Sequence, residues 1–383
     1  MPRILYFFAL CNLVVGTGAF VLSGILIPIS ASLNVSVATA GQAMTAYALS
    51  TAVLAPLALV VTGGWSRKRA LCFGMLVFAL GNAFCALAAT FPMLLIGRVL
   101  MGIGAMFTPI AAGVAVALVE PQRRGRALSL VFLGISLSYV VGLPLGAWIG
   151  FQFGWQWAIA VVAVCAGLSL VALIAWLPKD IQAPGASFTG LGALLSQAPV
   201  LWTLALTLVY FVAIFLVFAF IGPVLQALVP MSAARISTTL ALFGLSGVTG
   251  TIVGGWANDR FGARRTLFVQ LSVLAVTMAL LPLTQGHYEL LIATLLTWGI
   301  AGFGMMSPQQ SRLAALAPAQ APILLSLNTS MLYFGTALGA AIGGAVVGGV
   351  GFAHLAWVGI PFALAGLGTL AISARKPGLL RPA

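Results

Sequence analysis

The chain has 383 residues, of which 62% are hydrophobic and only 5% charged, and its mean hydropathy is +1.17. Soluble domains carry roughly 25% charged residues, so an ordinary water-soluble fold is excluded. The net charge of +13 would suit a polyanion, but the basic residues form short clusters between long apolar runs, and no basic face of the kind nucleic-acid binders use is present. No nucleic-acid partner is expected.

Apolar runs lie near 5–28, 39–62, 70–88, 92–118, 127–150, 157–177, 199–222, 237–257, 266–284, 289–312, 323–349 and 355–374. Each approaches or exceeds the ~20 residues that a helix needs to cross a bilayer. Barrel strands would alternate polarity in segments of about ten residues, so twelve helices are predicted. The first run, with Arg3 before it and Ser30-Ala31-Ser32 after it, has the outline of a secretory leader. It is too long for one and contains Asn12 and Thr17, so it reads as a retained first span. Cys11, Cys72, Cys85 and Cys165 lie in or beside apolar runs without metal or disulfide spacing and read as small buried hydrophobes. No metal and no cofactor is expected.

With the N-terminus placed inside, the inner loops hold Arg3, Arg67, Lys68, Arg69, Arg123, Arg124, Arg126, Lys179, Arg260, Arg264, Arg265, Arg312, Arg375, Lys376 and Arg381, and the outer loops only Arg235. This positive-inside bias makes both termini cytoplasmic. The one long polar interruption, Pro178 to Gln197, divides the chain into bundles 1–178 and 198–383 joined by a linker, 179–197, with a short interfacial helix expected near 188–196. The halves repeat. Residues 116–121 (Val-Ala-Leu-Val-Glu-Pro) face 313–318 (Leu-Ala-Ala-Leu-Ala-Pro) at an offset of 197, and Gly142 and Gly146 meet Gly339 and Gly343 at the same offset. Paired six-span halves are a transporter signature.

In the fifth span Gly134, Ser138, Gly142, Gly146 and Gly150 recur every four residues with Pro144 among them, and Gly335, Gly339 and Gly343 do so in the eleventh. Small residues on one face let helices approach closely in lipid. Such stripes serve either static packing or a surface on which the halves rock. Arg98 is the only charge well inside a span, and a charge there is expensive enough to be a functional hypothesis. Its structural alternative is hydrogen bonding to carbonyls near Gly16 and Gly18 of the first span. None of the acids, Glu120, Asp180, Asp259 and Glu289, is at mid-membrane. Glu289, with His287 beside it, is a weak candidate proton site and otherwise a solvated loop carboxylate. No paired carboxylates, nucleophile constellation or phosphate loop stands out, so no enzyme is expected.

The segment 254–265, Gly-Gly-Trp-Ala-Asn-Asp-Arg-Phe-Gly-Ala-Arg-Arg, reads as a short charged turn between two apolar runs. It resembles the G-x-x-x-D-R-x-G-x-R-R loop of the major facilitator superfamily. Arg98 in Gly97-Arg98-Val99-Leu100-Met101-Gly102-Ile103-Gly104 resembles the superfamily's fourth-span pattern, and Gly142-Leu143-Pro144-Leu145-Gly146 a variant of its fifth-span antiporter motif. With Gly81–Ala88 and Arg123-Arg124-Gly125-Arg126-Ala127, these are most similar to the sugar-efflux, arabinose-efflux-permease-like branch of the twelve-span drug:proton antiporters.

The resemblance implies an all-α integral membrane protein of twelve transmembrane helices in two pseudo-symmetric bundles, exporting a sugar, nucleoside or hydrophobic drug across a bacterial inner membrane by alternating access. Its partners would be a small-molecule substrate, the lipid bilayer and protons as the candidate coupling ion, and the expected state is a monomer. Arg98 would face the central cavity, with Thr17, Tyr47, Ser50, Ser138, Tyr139, Tyr210, Trp298, Asn328, Tyr333 and Thr336 on spans that line it. Aromatic walls with a few hydroxyls suit a neutral or weakly polar solute, although each residue is equally placed for helix packing. Asp259, with Arg260, Arg264 and Arg265, would gate the inner side against the start of the fifth span near Arg126, with Gly142, Pro144 and Gly146 as moving parts. The first half has Gly63 where the second has Asp259. Proton-coupled members often carry a first-span acid where this chain has Asn12, which leaves a uniporter or uptake carrier as the alternative and a non-transporting membrane sensor as a third reading.

Overall fold

The computed structural model describes residues 1–120, 123–178, 181, 195–317 and 320–375. Its described regular elements are helical, and twelve helices are long and apolar enough to cross a membrane. In order these spans are Arg3–Gly24, Val37–Val61, Arg67–Ala86, Phe91–Ala117, Arg124–Gln152, Trp155–Trp176, Ala198–Phe218, Ala233–Phe261, Ala263–Thr284, Tyr288–Leu316, Ile323–Val350 and Phe352–Ser373. Each predicted run has its span. The second and third start on serine N-caps, Ser36 and Ser66, whose hydroxyls accept from the N–H groups of Thr39 and Arg69.

The helices are apolar on their outer faces as well as their packed ones. In the sixth span Val161, Val164, Leu168 and Val171 form an exposed stripe at helical spacing, with Leu168 65% exposed. Such a surface would aggregate in water and is at home against acyl chains. Trp157 and Trp176, also exposed, stand near the two ends of the same helix. At 1.5 Å per residue they lie roughly 28 Å apart, close to the thickness of the hydrocarbon core, as interfacial tryptophans should.

Prolines set the breaks. The first span gives way at Ile25 to a short helix, Leu26–Leu33, and the seventh at Ala219-Phe220 to Ile221–Leu228. The fourth divides at Ala105-Met106, the tenth at Gly304-Met305. Each break falls at or next to the position four before a proline: Pro28, Pro223, Pro109 and Pro308. A proline has no N–H for that carbonyl and its ring crowds it, so the helix opens there. Pro144 acts in the same way in the fifth span, where Ser138–Gly142 is a π-helical turn. The first and fourth spans of one set of six and the seventh and tenth of the other are therefore broken alike.

By packing, the described residues of 1–187 form one compact unit together with Ser232–Gly244, and the remainder form a second. The eighth span is one continuous helix whose first twelve residues, 233–244, belong to the first unit. There the Ser237 hydroxyl donates to the Pro144 carbonyl. Within the first unit the first span packs on the fifth and the third on the fourth and sixth; within the second the seventh packs on the eleventh and twelfth and the ninth on the tenth and twelfth.

The glycine stripes are seams inside these units. Gly142 meets Thr17, Gly146 meets Val21 and Gly150 meets Ile25, all on the first span or its break, while Gly335, Gly339 and Gly343 meet the backbone of the seventh span. A Cβ at Gly339 would lie 2.7 Å from the Val212 carbonyl oxygen. Of the two roles open to the stripes, close packing is the one the neighbours of these glycines show. The expected interfacial helix near 188–196 falls almost wholly outside the described residues, as do Lys179, Asp180, Lys376 and Arg381.

Candidate functional site

In each unit three spans are tied by a buried polar clasp. In the first, Asn12 of the first span donates through Nδ2 to the Val131 carbonyl of the fifth (3.0 Å) and accepts at Oδ1 from Thr108 of the fourth (2.7 Å). In the second, Thr207 of the seventh span donates to Asn328 Oδ1 of the eleventh (2.5 Å) and accepts from Gln309 Nε2 of the tenth (2.9 Å). Gln309 Nε2 also donates to the Thr203 carbonyl, and Arg312 donates to Gln309 Oε1 and to Ser373 Oγ at 2.6 Å. Thr108 directly precedes Pro109, and Gln309 directly follows Pro308, so the clasps sit beside the kinks. Buried amides must find partners or forfeit their hydration, and these find them across helices. Asn328 Nδ2 is buried and has no partner among the described residues.

Arg98 is fully buried, and its donors end on backbone. Nη1 donates to the Gly18 carbonyl (2.7 Å), Nη2 to Ala19 (2.8 Å) and Nε to Ala43 (3.1 Å). A carbonyl has a second lone pair, so helical residues can serve an outside donor as well. The guanidinium lies 4.5 Å from the centre of the Tyr47 ring, and the sulfurs of Met44 and Met101 complete its shell. Of the two placements the sequence left open, the carbonyl-bound one is observed, on Gly18 and its neighbour Ala19 of the first span and, beyond what was expected, on Ala43 of the second. A cavity-facing Arg98 is not what the structure holds. Its charge locks the first, second and fourth spans together.

Most of the other expected substrate contacts are also committed to the scaffold. Thr17, Ser138 and Thr336 donate to carbonyls of their own helices, at Leu13, Ile135 and Leu332. Ser50 donates to the Val99 carbonyl of the fourth span at 2.7 Å, against Gly102. Tyr210 is wholly buried and donates to the Ala301 carbonyl at 2.6 Å, and Trp298 is buried. Tyr139, in the π-helical turn, stacks on Phe20 with ring centres 4.9 Å apart, and both Tyr139 and Tyr333 stay half-buried. Tyr139 and Tyr333 thus keep some exposed surface, and the Asn328 amide keeps hydrogen-bonding capacity at Nδ2 among the described residues. Gln309, Thr207 and the kink prolines were missed from sequence, although an amide inside an apolar run is itself a signal.

The charged segment is helical for most of its length. The eighth span runs through Asp259 and Arg260 to Phe261, and the turn is Gly262 alone, at φ +81°, before the ninth begins at Ala263. The expected multi-residue turn is thus compressed into one residue, possible because glycine has no Cβ to clash at positive φ. Arg260 in the last turn suits the negative end of the helix dipole. Asn258 bridges Asp259 (3.4 Å) and Ser311 of the tenth span (3.2 Å). Asp259, Arg260, Arg264, Arg265, Arg126 and Glu289 are all exposed. Among the described residues the single ion pair is Arg123 with Glu120, at 3.8 Å, and no three His, Cys, Asp or Glu side chains gather as metal ligands would.

Known proteins match this arrangement along nearly the whole chain. Residues 8–322 and 220–383 match the Major Facilitator Superfamily. The inner membrane transport protein YdhP of Escherichia coli K12 is 30% identical over 365 residues, covering 94% of this chain and 93% of its own. The MFS-type transporter YbcL of Bacillus subtilis is 27% identical over 356 residues, 93% of this chain and 91% of its own. Among solved structures, a D-xylose-proton symporter superposes with a TM-score of 0.77 at 17% identity, covering 96% of both chains. A bacterial homologue of the human lysosomal transporter Spinster, in an inward-facing occupied state, gives 0.75 at 18%, over 98% of this chain and 95% of its own. With twelve membrane-spanning helices, matched kinks and this likeness from end to end, the chain belongs to the Major Facilitator Superfamily and is a multi-pass membrane transporter, not an enzyme.

Proposed function

We propose that the protein is a secondary transporter that exports a small neutral or weakly polar organic solute across a bacterial inner membrane by alternating access. The observation that carries alternating access is the duplication of the broken spans: first and fourth, seventh and tenth, each opened by a proline, with a polar clasp beside the breaks of the fourth and tenth. Discontinuous helices in corresponding places of two repeats are where carriers of this kind handle solute. Export, and membership of the sugar-efflux branch, rest on the resemblance of the fifth-span Gly142–Gly146 segment and the Arg123–Ala127 turn. The half-buried Tyr139 and Tyr333 and the unpartnered Asn328 Nδ2 are the proposed solute contacts. Bundles 1–178 and 198–383, joined through 179–197, would move as bodies, with both termini cytoplasmic and the chain working as a monomer. Asp259 and the Arg260, Arg264 and Arg265 cluster would act as inner gate with Arg126, and the Ser138–Gly142 π turn, with Gly142, Pro144 and Gly146, as the joint that lets the fifth span flex.

A second reading, facilitated diffusion without proton coupling, is favoured by a specific observation. Among the described residues no carboxylate lies within the middle of a span: Glu120 follows the fourth, Asp259 ends the eighth and Glu289 starts the tenth. Purified protein in liposomes, assayed with fluorescent drugs, sugars and nucleosides with and without an imposed pH gradient, tests both. Uphill movement driven by the gradient supports the antiporter with Glu289 as proton site, and gradient-independent equilibration supports the uniporter. No movement of any solute in oriented vesicles would refute both.

A further inference from the structure

Two grooves flank the ninth span at its Arg264-Arg265 end, both within the second unit. One, of about 560 Å³, is lined by Arg264, Arg265, Phe268, Val269, Leu367 and Leu370 and runs between the ninth and twelfth spans. The other, of about 630 Å³, runs between the ninth span and the eighth and tenth, and its walls include Phe261, Arg265, Val269, Gln270, Val273 and Ile300. Arg265 and Val269 belong to both, so the grooves straddle one helix and share a basic head.

The ninth span starts on Gly262, which offers no capping side chain, and no acid occupies its first turn. The N–H groups at such a start attract negative charge. Among the described residues neither Arg264 nor Arg265 has a carboxylate within ion-pair distance. Deeper in the second groove Gln270, more than nine-tenths buried, makes no hydrogen bond among the described residues, and its Oε1 is buried without a partner. It lies five residues beyond Arg265, roughly 7.5 Å along the helix. That is the depth at which the ester groups of a lipid would sit if its phosphate were held at Arg265, and it is Gln270 Nε2, which makes no hydrogen bond among the described residues, that can donate to such an ester carbonyl.

We propose that this is a seat for an anionic diacyl phospholipid, with the phosphodiester on Arg264, Arg265 and the helix start, one acyl chain in each groove, and the ester region at Gln270. Basic residues above apolar clefts at a membrane surface recognise acidic lipid head groups in this way. The shared Arg265 and Val269 explain why two chains on one glycerol fit better than two separate molecules. The seat lies outside every candidate solute contact and stands whether or not the transport reading does.

The test is native mass spectrometry of the detergent-solubilised protein titrated with dioleoyl phosphatidylglycerol or dioleoyl phosphatidylcholine, with thermal unfolding measured in parallel. Wild type should retain phosphatidylglycerol at least tenfold more tightly and gain melting temperature from it. Arg264→Gln with Arg265→Gln should abolish that preference, Arg264→Lys with Arg265→Lys should keep most of it, and Gln270→Leu should weaken retention of both lipids. Dihexanoyl phosphatidylglycerol and inorganic phosphate, which carry the charge without long chains, should bind far more weakly. Equal binding of the two dioleoyl lipids by wild type, or inorganic phosphate matching the lipid, overturns the proposal. Should the glutamine pair fail to fold, the wild-type comparison and the lysine pair still decide it.

Discussion

Substitution of Arg98 separates a scaffold role from a solute role. Its three hydrogen bonds to carbonyls are charge-assisted and worth roughly 1.5–3 kcal/mol each, about 5–9 kcal/mol together. Against that stands the desolvation of a buried guanidinium, several kcal/mol, so the net contribution is about 2–4 kcal/mol. Arg98→Met deletes the bonds and the buried charge together and should lose about that net amount. Arg98→Lys keeps the charge in the same dry place, but one ammonium cannot span carbonyls on two helices and leaves at least two bonds unmade, a loss of about 3–6 kcal/mol. The expected order of stability is therefore wild type, then Met, then Lys, although Lys is the conventional conservative change. Reversible unfolding in mixed dodecylmaltoside and dodecyl sulfate micelles measures it. A lysine variant as stable as wild type, or a methionine variant that keeps full stability while losing transport, would refute the argument and return Arg98 to the solute.

The seams make a paired prediction. Gly339→Leu, driven into the Val212 carbonyl, should destabilise by about 1–3 kcal/mol and lower the yield of monodisperse protein, whereas Gly348→Ala on the same helix, where nothing lies within 4 Å, should be neutral or gain up to about 1 kcal/mol. Gly262→Ala must place a Cβ at φ +81° and should cost about 1–2 kcal/mol in the same micellar assay, with no comparable loss for Gly255→Ala, whose nearest neighbour is 3.8 Å away. If Asp259 is the inner gate, Asp259→Asn should slow turnover several-fold and raise labelling of inner-side cysteines at unchanged stability; unaltered turnover would exclude that role. Single cysteines replacing Arg124 and Arg264 should react with an impermeant maleimide from the same side of inverted vesicles, and reaction from opposite sides would overturn the assigned topology.

The spans were legible because their signal is a sum over twenty residues: apolar length alone sets each apart, and Gly, Ala and Leu in any order suffice. The four helix breaks each trace to a proline in the chain, but Pro56 and Pro361 stand inside helices that stay continuous, so a proline by itself did not fix where the chain breaks. Reading the charged segment as a turn failed for a local reason. Asp259 and Arg260 look like loop residues by polarity, yet a helix carries charge in its last turn without strain and needs only one glycine to reverse.

Side-chain roles were far less legible, and Tyr210, Ser50 and Arg98 show why. Each sits in an apolar run at mid-depth, which is equally true of a solute contact and of a packing residue. The distinction rests on whether a carbonyl from another helix comes within about 3 Å, as those of Ala301, Val99 and Gly18 do. Sequence alone determined that lipid is the solvent and where the chain crosses it, because hydropathy acts along the chain. Tertiary structure alone decided which polar groups are spent on neighbouring helices and which remain unpaired, because a hydrogen bond depends on which backbone the fold brings within reach.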